Sequence, residues 1–235
     1  MRAFLILCWL TVPFLAWAYH VGPGQERLKL DEASQLLTQA KAATTSKDFV
    51  SANALYSLAL SKLPEEQKSE SYSIRLALAK SQLESDQLPE ARAALETLLS
   101  EIEKDPKADP KVIDGARETL ANSQYYMTWL MRLEGKPTEE WEPEIESSRQ
   151  HYRLLAEKAE DSGDAKSAET RKQDLEAAIR LARIDLSELQ ALKIPSQCKG
   201  CCSSQCKKIG KPTTRKSEKK SGGANEGPLP DGSGS

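Results

Sequence analysis

The chain has 235 residues, 29% charged and 39% hydrophobic, with a formal net charge of -2 and five cysteines. That length, with its Leu and Ala content, suits one helical domain. Two histidines, His20 and His151, no Gly-rich phosphate loop, no Gly-x-Ser-x-Gly elbow and no His-Glu-x-x-His leave almost no material for the common catalytic constellations, so a non-enzymatic role is expected.

Residues 1–18 carry one charge, Arg2, then an apolar run from Ala3 to Ala16 interrupted by Thr11 and Pro13, and end Ala16-Trp17-Ala18. This is the pattern of a cleaved secretory signal, too short and too proline-broken to stay as a membrane span. The mature chain then starts at Tyr19, and Cys8 is discarded with the signal. No later stretch has the apolar length of a transmembrane segment, so the expectation is an exported protein, periplasmic or secreted, outside the reducing cytoplasm.

Residues 19–30 read as a linker, 31–192 as an all-α domain of about seven helices, and 193–235 as a tail. Asp31 is placed to cap a first helix reaching about Thr45, with Leu36, Leu37 and Ala40 inward, and Ser46 or Lys47 opens a second that Pro64 ends. Pro89 fits the first turn of the fourth helix, where its missing amide costs nothing. Asp105-Pro106 and Asp109-Pro110 mark the next boundary, because a residue before proline is pushed out of helical geometry. The fifth helix runs from about Pro110 to Leu133, with Ile113, Ala116, Leu120, Met127 and Leu130 at steps of three and four, and Gly135-Lys136-Pro137 stops it. A sixth is expected from near Pro143 to Ser162-Gly163-Asp164, and a seventh carries Leu175, Ala178, Ile179, Ala182 and Leu186 toward Leu192. No segment sustains period-two alternation.

Three pairs of alanines stand twelve residues apart: Ala40/Ala52, Ala79/Ala91 and Ala156/Ala168. Each second alanine lies just inside a helix that follows a short polar turn, the arrangement by which antiparallel helices cross closely at small side chains. The stretches KDFVSANALYSLALSKLP and LALAKSQLESDQLPEARAALETLL, with SGDAKSAETRKQDLEAA as a weaker third, resemble the tetratricopeptide family over about residues 31–105 and 144–180. Ala40 and Ala79 stand where the family has glycine, and Lys172 where it has an aromatic or large apolar residue. Ala52 to Ala91 is 39 residues and Ala91 to Ala168 is 77, looser than the family's period of about 34. The fifth helix fits none of the three pairs. The resemblance implies a concave groove, lined by the first helix of each pair, that accepts a peptide or partner helix.

The densest aromatic run, Tyr125-Tyr126-Met127-Thr128-Trp129-Leu130-Met131, is apolar on more than one side and is followed by Trp141. Either the fifth helix is sandwiched in the stack, or Tyr125, Trp129 and Trp141 form an exposed anchor for a partner.

From Tyr19 to Leu192 there are 23 basic and 32 acidic residues, a net of -9, whereas Lys193 to Lys220 has a net of +8. Past Ile194 the composition is Lys, Ser, Gly, Pro and Cys, which buries too little apolar surface to offset the entropy of ordering, so the tail reads as disordered. All four mature cysteines, Cys198, Cys201, Cys202 and Cys206, fall within nine residues. They can pair as disulfides in three connectivities, bind a soft metal ion, or exchange disulfides with a partner. Zinc fits imperfectly, since Cys198 to Cys201 is the one normal arm and adjacent Cys201 and Cys202 share a tetrahedron poorly. Lys207, Lys208, Lys211, Arg215, Lys216, Lys219 and Lys220 follow, either a solvated run or a tether to an anionic envelope surface or acidic protein. Without interleaved aromatics, sequence-specific nucleic-acid recognition is not expected.

The expected function is that of an exported scaffold or adaptor that holds a protein or peptide partner and needs no cofactor. The alternative is a thiol-rich metal-handling or redox protein whose helices carry the cysteine cluster.

Overall fold

The computed structural model describes residues 23–199, together with residues 9, 11–13 and 17. Among these the protein is all-α. Seven long helices follow one another: α1 (Pro23–Thr45), α2 (Phe49–Lys62), α3 (Lys68–Leu83), α4 (Leu88–Ile102), α5 (Pro110–Leu133), α6 (Thr138–Asp161) and α7 (Ala165–Arg183), with a short α8 (Leu186–Ala191) and a 3-10 turn (Ser196–Cys198) behind them. No described helix is long and apolar enough to cross a membrane.

Each of the seven long helices packs on the next in sequence, α3 also touches α5, and α8 and the 3-10 turn pack on α5. The result is a stack of helical hairpins with one core after another. Ala40, Ala52, Tyr56 and Ile74 form the first core. Leu76, Ala79, Leu95, Leu98, Ile102, Ala116 and Leu120 belong to the second. The third, the largest, gathers Leu83, Leu88, Ala91, Met127, Trp129, Leu130, Ile145, Tyr152, Ala178, Leu181, Leu189 and Cys198.

Four of the turns are built alike. Lys47, Asp86, Gly135 and Gly163 all take left-handed φ, at 61°, 57°, 71° and 74°. In each turn the following N–H reaches back five residues: Asp48 to the Ala43 carbonyl at 2.9 Å, Gln87 to Gln82 at 3.2 Å, Lys136 to Met131 at 2.9 Å and Asp164 to Ala159 at 3.1 Å. This closure satisfies the carbonyls left over at a helix C-terminus, and glycine suits its left-handed residue best because it has no Cβ to clash. The next helix is then capped where an aspartate is available. Asp48 accepts from the Ser51 N–H at 3.1 Å and Asp164 from the Ser167 N–H at 3.0 Å.

Seven residues before each left-handed position sits a fully or nearly buried small side chain: Ala40, Ala79, Thr128 and Ala156. The alanine pairs therefore mark three hairpins of a series of four. The α5/α6 hairpin escapes the pattern because Thr128 stands for the first alanine, and because its second helix starts one residue later, with Trp141 in the place of Ala52, Ala91 and Ala168.

The structure moves several boundaries. Helix α1 begins at Pro23, inside the expected linker, because Gln25–Leu30 are good helix formers and exposed Asp31 sits on its outer face rather than at its start. Helix α2 is capped by Asp48, not by Ser46 or Lys47. Helix α6 starts at Thr138, not near Pro143, with Glu139 and Glu140 in its first turn where acidic charge is favoured. Pro143 lies in the next turn, where its missing N–H forfeits a single backbone bond to the Glu139 carbonyl. The seventh helix stops at Arg183, and Ile184 and Asp185 are extended before α8. Within residues 193–199, expected in the tail, the turn Ser196–Cys198 packs against α5, with Cys198 buried.

Candidate functional site

One concavity lies on the inner face formed by α1, α3 and α5, with the start of α2 as its floor. It is a cleft of about 450 Å³, lined among others by Thr44, Phe49, Tyr56, Lys80, Ser81, Glu84, Glu118 and Asn122. Helical periodicity brings the α3 lining together, because Ala77, Lys80, Ser81 and Glu84 are three or four residues apart. The floor is preorganised. Tyr56 is 4% exposed, and its hydroxyl lies 3.4 Å from Thr44 Oγ1, which donates to the Ala40 carbonyl at 2.9 Å. Ser81 Oγ donates to the Phe49 carbonyl at 3.4 Å, tying α3 to the start of α2. Lys80 and Glu84 are exposed at the rim. Such a surface offers hydroxyls, an amide and charges of both signs, and suits an extended polar chain better than a small apolar ligand.

Past Asn122 the inner face continues over α5 toward α7. Tyr152 donates to Asn122 Oδ1 at 2.5 Å. Arg171 Nη1 holds Glu118 at 2.6 Å and Asp174 at 3.4 Å. Tyr125 and Tyr126 meet edge to face, with centroids 5.4 Å apart and planes at 75°. Burial, with nearby Glu118 adding to it, holds the Asp174 carboxyl above its ordinary value against the pull of Arg171. Burial raises the Tyr126 hydroxyl, and Tyr125, Cys198, Glu84 and Asp174 push the same way. Tyr152 is raised further, again first by burial. Glu84 and Asp174 lie near Tyr126 and Glu118 near Tyr152, with Arg171 paired to Glu118 and Asp174.

The aromatic residues singled out in the sequence separate here. Trp129 is 5% exposed and belongs to the third core, which corrects its reading as an exposed anchor: helix α5 is sandwiched, and the indole is on the covered side. Tyr125 and Trp141 are half-buried against the same core. The Arg132 guanidinium lies 4.8 Å above the Trp141 ring and donates to the carbonyls of Leu181 and Ile184. Arg132 and Trp141 therefore join α5, α6 and the end of α7, and the three aromatics do not form one exposed pocket. Cys198 is 4% exposed, and its thiol donates to the Tyr126 carbonyl at 3.5 Å. Cys201, Cys202 and Cys206, the basic residues from Lys207 to Lys220 and most of the N-terminal apolar run lie outside the described residues. Lys172, the departure in the third alanine unit, is exposed and pairs with Glu160 at 2.5 Å.

A second, smaller cleft of about 260 Å³ opens between α4, α5 and α6, with Glu96, Glu103, Gln124, Ser147 and His151 in its lining. Gln124 Nε2 donates to Ser147 Oγ at 2.9 Å, whereas Gln124 Oε1 and His151 Nδ1 are buried without a protein partner. Burial, and then the nearby Arg117 cation, lowers the imidazole below its ordinary 6.5. No sequence signal pointed to this cleft.

Compared with known families, residues 43–109 match the tetratricopeptide repeat, which covers the end of α1 through α4. No curated protein and no solved structure matches the chain.

Proposed function

Because the chain is a tetratricopeptide-like helical repeat protein, a class whose members are protein-interaction scaffolds and typically non-catalytic, we propose that it holds an extended segment of a protein partner along the inner face of α1, α3 and α5. One observation carries this reading: the preorganised cleft of about 450 Å³ with Lys80, Glu84 and Asn122 presented over the Tyr56 floor. Hydrogen bonds to the partner backbone supply affinity there, and the rim charges select its side chains. Trp141, half-buried under the Arg132 guanidinium, is already engaged within the stack.

A photo-crosslinking amino acid placed at Lys80 should capture a partner, whereas the same group at exposed Glu157 of α6 should not. The captured segment, made as a peptide, should bind the full chain and lose about tenfold in affinity to Lys80→Glu, a loss of about 1.4 kcal/mol. Capture from Glu157 alone, or a peptide indifferent to Lys80→Glu, argues against the cleft.

We further propose export, on the apolar run and the Ala16-Trp17-Ala18 exit. The mature protein isolated from its native source should then begin at Tyr19. A retained Met1 refutes it.

A further inference from the structure

Residues 193–199 do not depart freely from the end of α8. They turn back across α5, where Gln197 Nε2 donates to Glu84 Oε1 at 3.1 Å and Cys198 is buried against the Tyr126 carbonyl. The chain therefore passes into residues 200–235 from a point beside Glu84, the carboxylate at the mouth of the inner cleft. Around that point the inner face presents Glu84, Glu118 and Asp174 next to the edge-to-face pair Tyr125 and Tyr126, against two cations, Lys80 one turn from Glu84 and Arg171 between Glu118 and Asp174, so that one negative charge is left in excess. Carboxylates beside tyrosine rings favour an ammonium or guanidinium group, which gains from the charge and from the ring face together.

The outgoing chain has the complementary charge. Between Lys207 and Lys220 it carries seven Lys and Arg and one acidic residue, Glu218. From Lys199 to Lys207 an extended chain reaches at most about 27 Å, similar to the width of three helices packed about 9 Å apart. Tethering at Lys199 makes the encounter intramolecular, with an effective concentration on the order of millimolar.

We propose that residues 207–220 fold back in cis over the inner face between α3, α5 and α7, their Lys and Arg side chains against Glu84, Glu118 and Asp174. The protein then covers part of its own groove, and a partner must displace the tail. Displacement rests on the inner face being the partner site, whereas the occupancy does not.

The test is zero-length carbodiimide coupling of lysine amines to carboxylates in the full chain, using an equal mixture of unlabelled and nitrogen-15 protein and peptide mass spectrometry. No partner is needed, so the outcome is separate from that of the partner-capture experiment. Amides from Lys207–Lys220 to Glu84, Glu118 or Asp174 should form within single chains, as tethering favours, and about fivefold more often than to exposed Glu139 and Glu142, as expected where a few weak ion pairs hold the tail. They should fade in about 1 M salt, where the screening length falls to about 3 Å. Tail amides shared evenly with Glu139 and Glu142, found only between heavy and light chains, or insensitive to salt overturn the proposal.

Discussion

Replacing Arg132 by methionine tests how the C-terminal part of the stack is held. Helix α7 ends at Arg183; the Ile184 N–H takes up the Arg180 carbonyl, and the carbonyls after it have no partner within the helix. The Arg132 guanidinium reaches them from the last turn of α5, donating to Leu181 and Ile184 while it covers the Trp141 ring. A hydrogen bond from a charged donor contributes about 1.5 to 3 kcal/mol, and the cation over the ring adds about 0.5 to 1 at a partly exposed site. Arg132 is half-buried, so water replaces part of what is lost, and Met keeps the apolar stem packed. The expected net loss for Arg132→Met is about 2 to 4 kcal/mol, read as a lower urea midpoint at unchanged slope. Arg132→Lys should recover less than half, since one ammonium on a flexible stem does not span two carbonyls as a planar fork does. The loss should be local first. Amide exchange in α8, where the Leu189 N–H bonds the Asp185 carbonyl at 2.8 Å, should accelerate more than exchange in α2. A midpoint shift equivalent to less than about 0.5 kcal/mol, or equal acceleration in both helices, would refute the view that Arg132 caps α7.

Three further predictions follow from the geometry. Lys47→Gly should stabilise the fold by about 0.5 to 1 kcal/mol and Gly135→Ala should destabilise it by a similar amount, because both positions have left-handed φ; urea titrations that show the same sign for both contradict the turn assignment. Ala52→Leu and Ala91→Leu, each at a site with no exposure, should cost about 1 to 3 kcal/mol, whereas Ala54→Leu on the exposed side of α2 should be near neutral in the same titrations. The folded state holds His151 neutral below its ordinary 6.5, while the unfolded chain takes up a proton near 6.5; stability from this group is therefore full above 6.5 and is lost as pH falls through the lowered folded value. His151→Gln should flatten that part of the pH–stability curve, and a slope unchanged from wild type sinks the assignment.

Much of the fold was legible along the chain because helix ends are local events. Pro110 and the Gly135 and Gly163 turns write their boundaries in residues whose backbone preferences hold anywhere, and the alanine pairs mark close crossings because only small side chains let two helices approach. The same locality explains the errors. Pro143 looked like a start, yet one forfeited backbone bond near the N-terminus of α6 is offset by packing of Ile145, Ser148 and Tyr152. The α5/α6 hairpin was invisible because Thr128 and Trp141 replace its alanines, and a repeat read by residue identity misses one conserved in backbone shape. The aromatic run of α5 was apolar on two sides, and which side is covered depends on α6, α7, α8 and the 3-10 turn arriving from later in the chain. Tertiary packing decided that Trp129 goes inward while Tyr125 and Tyr126 stay half-exposed. It alone also assembled the inner face, because Thr44, Glu84, Glu118, Asp174 and Gln197 lie on separate elements and become neighbours only when the hairpins stack.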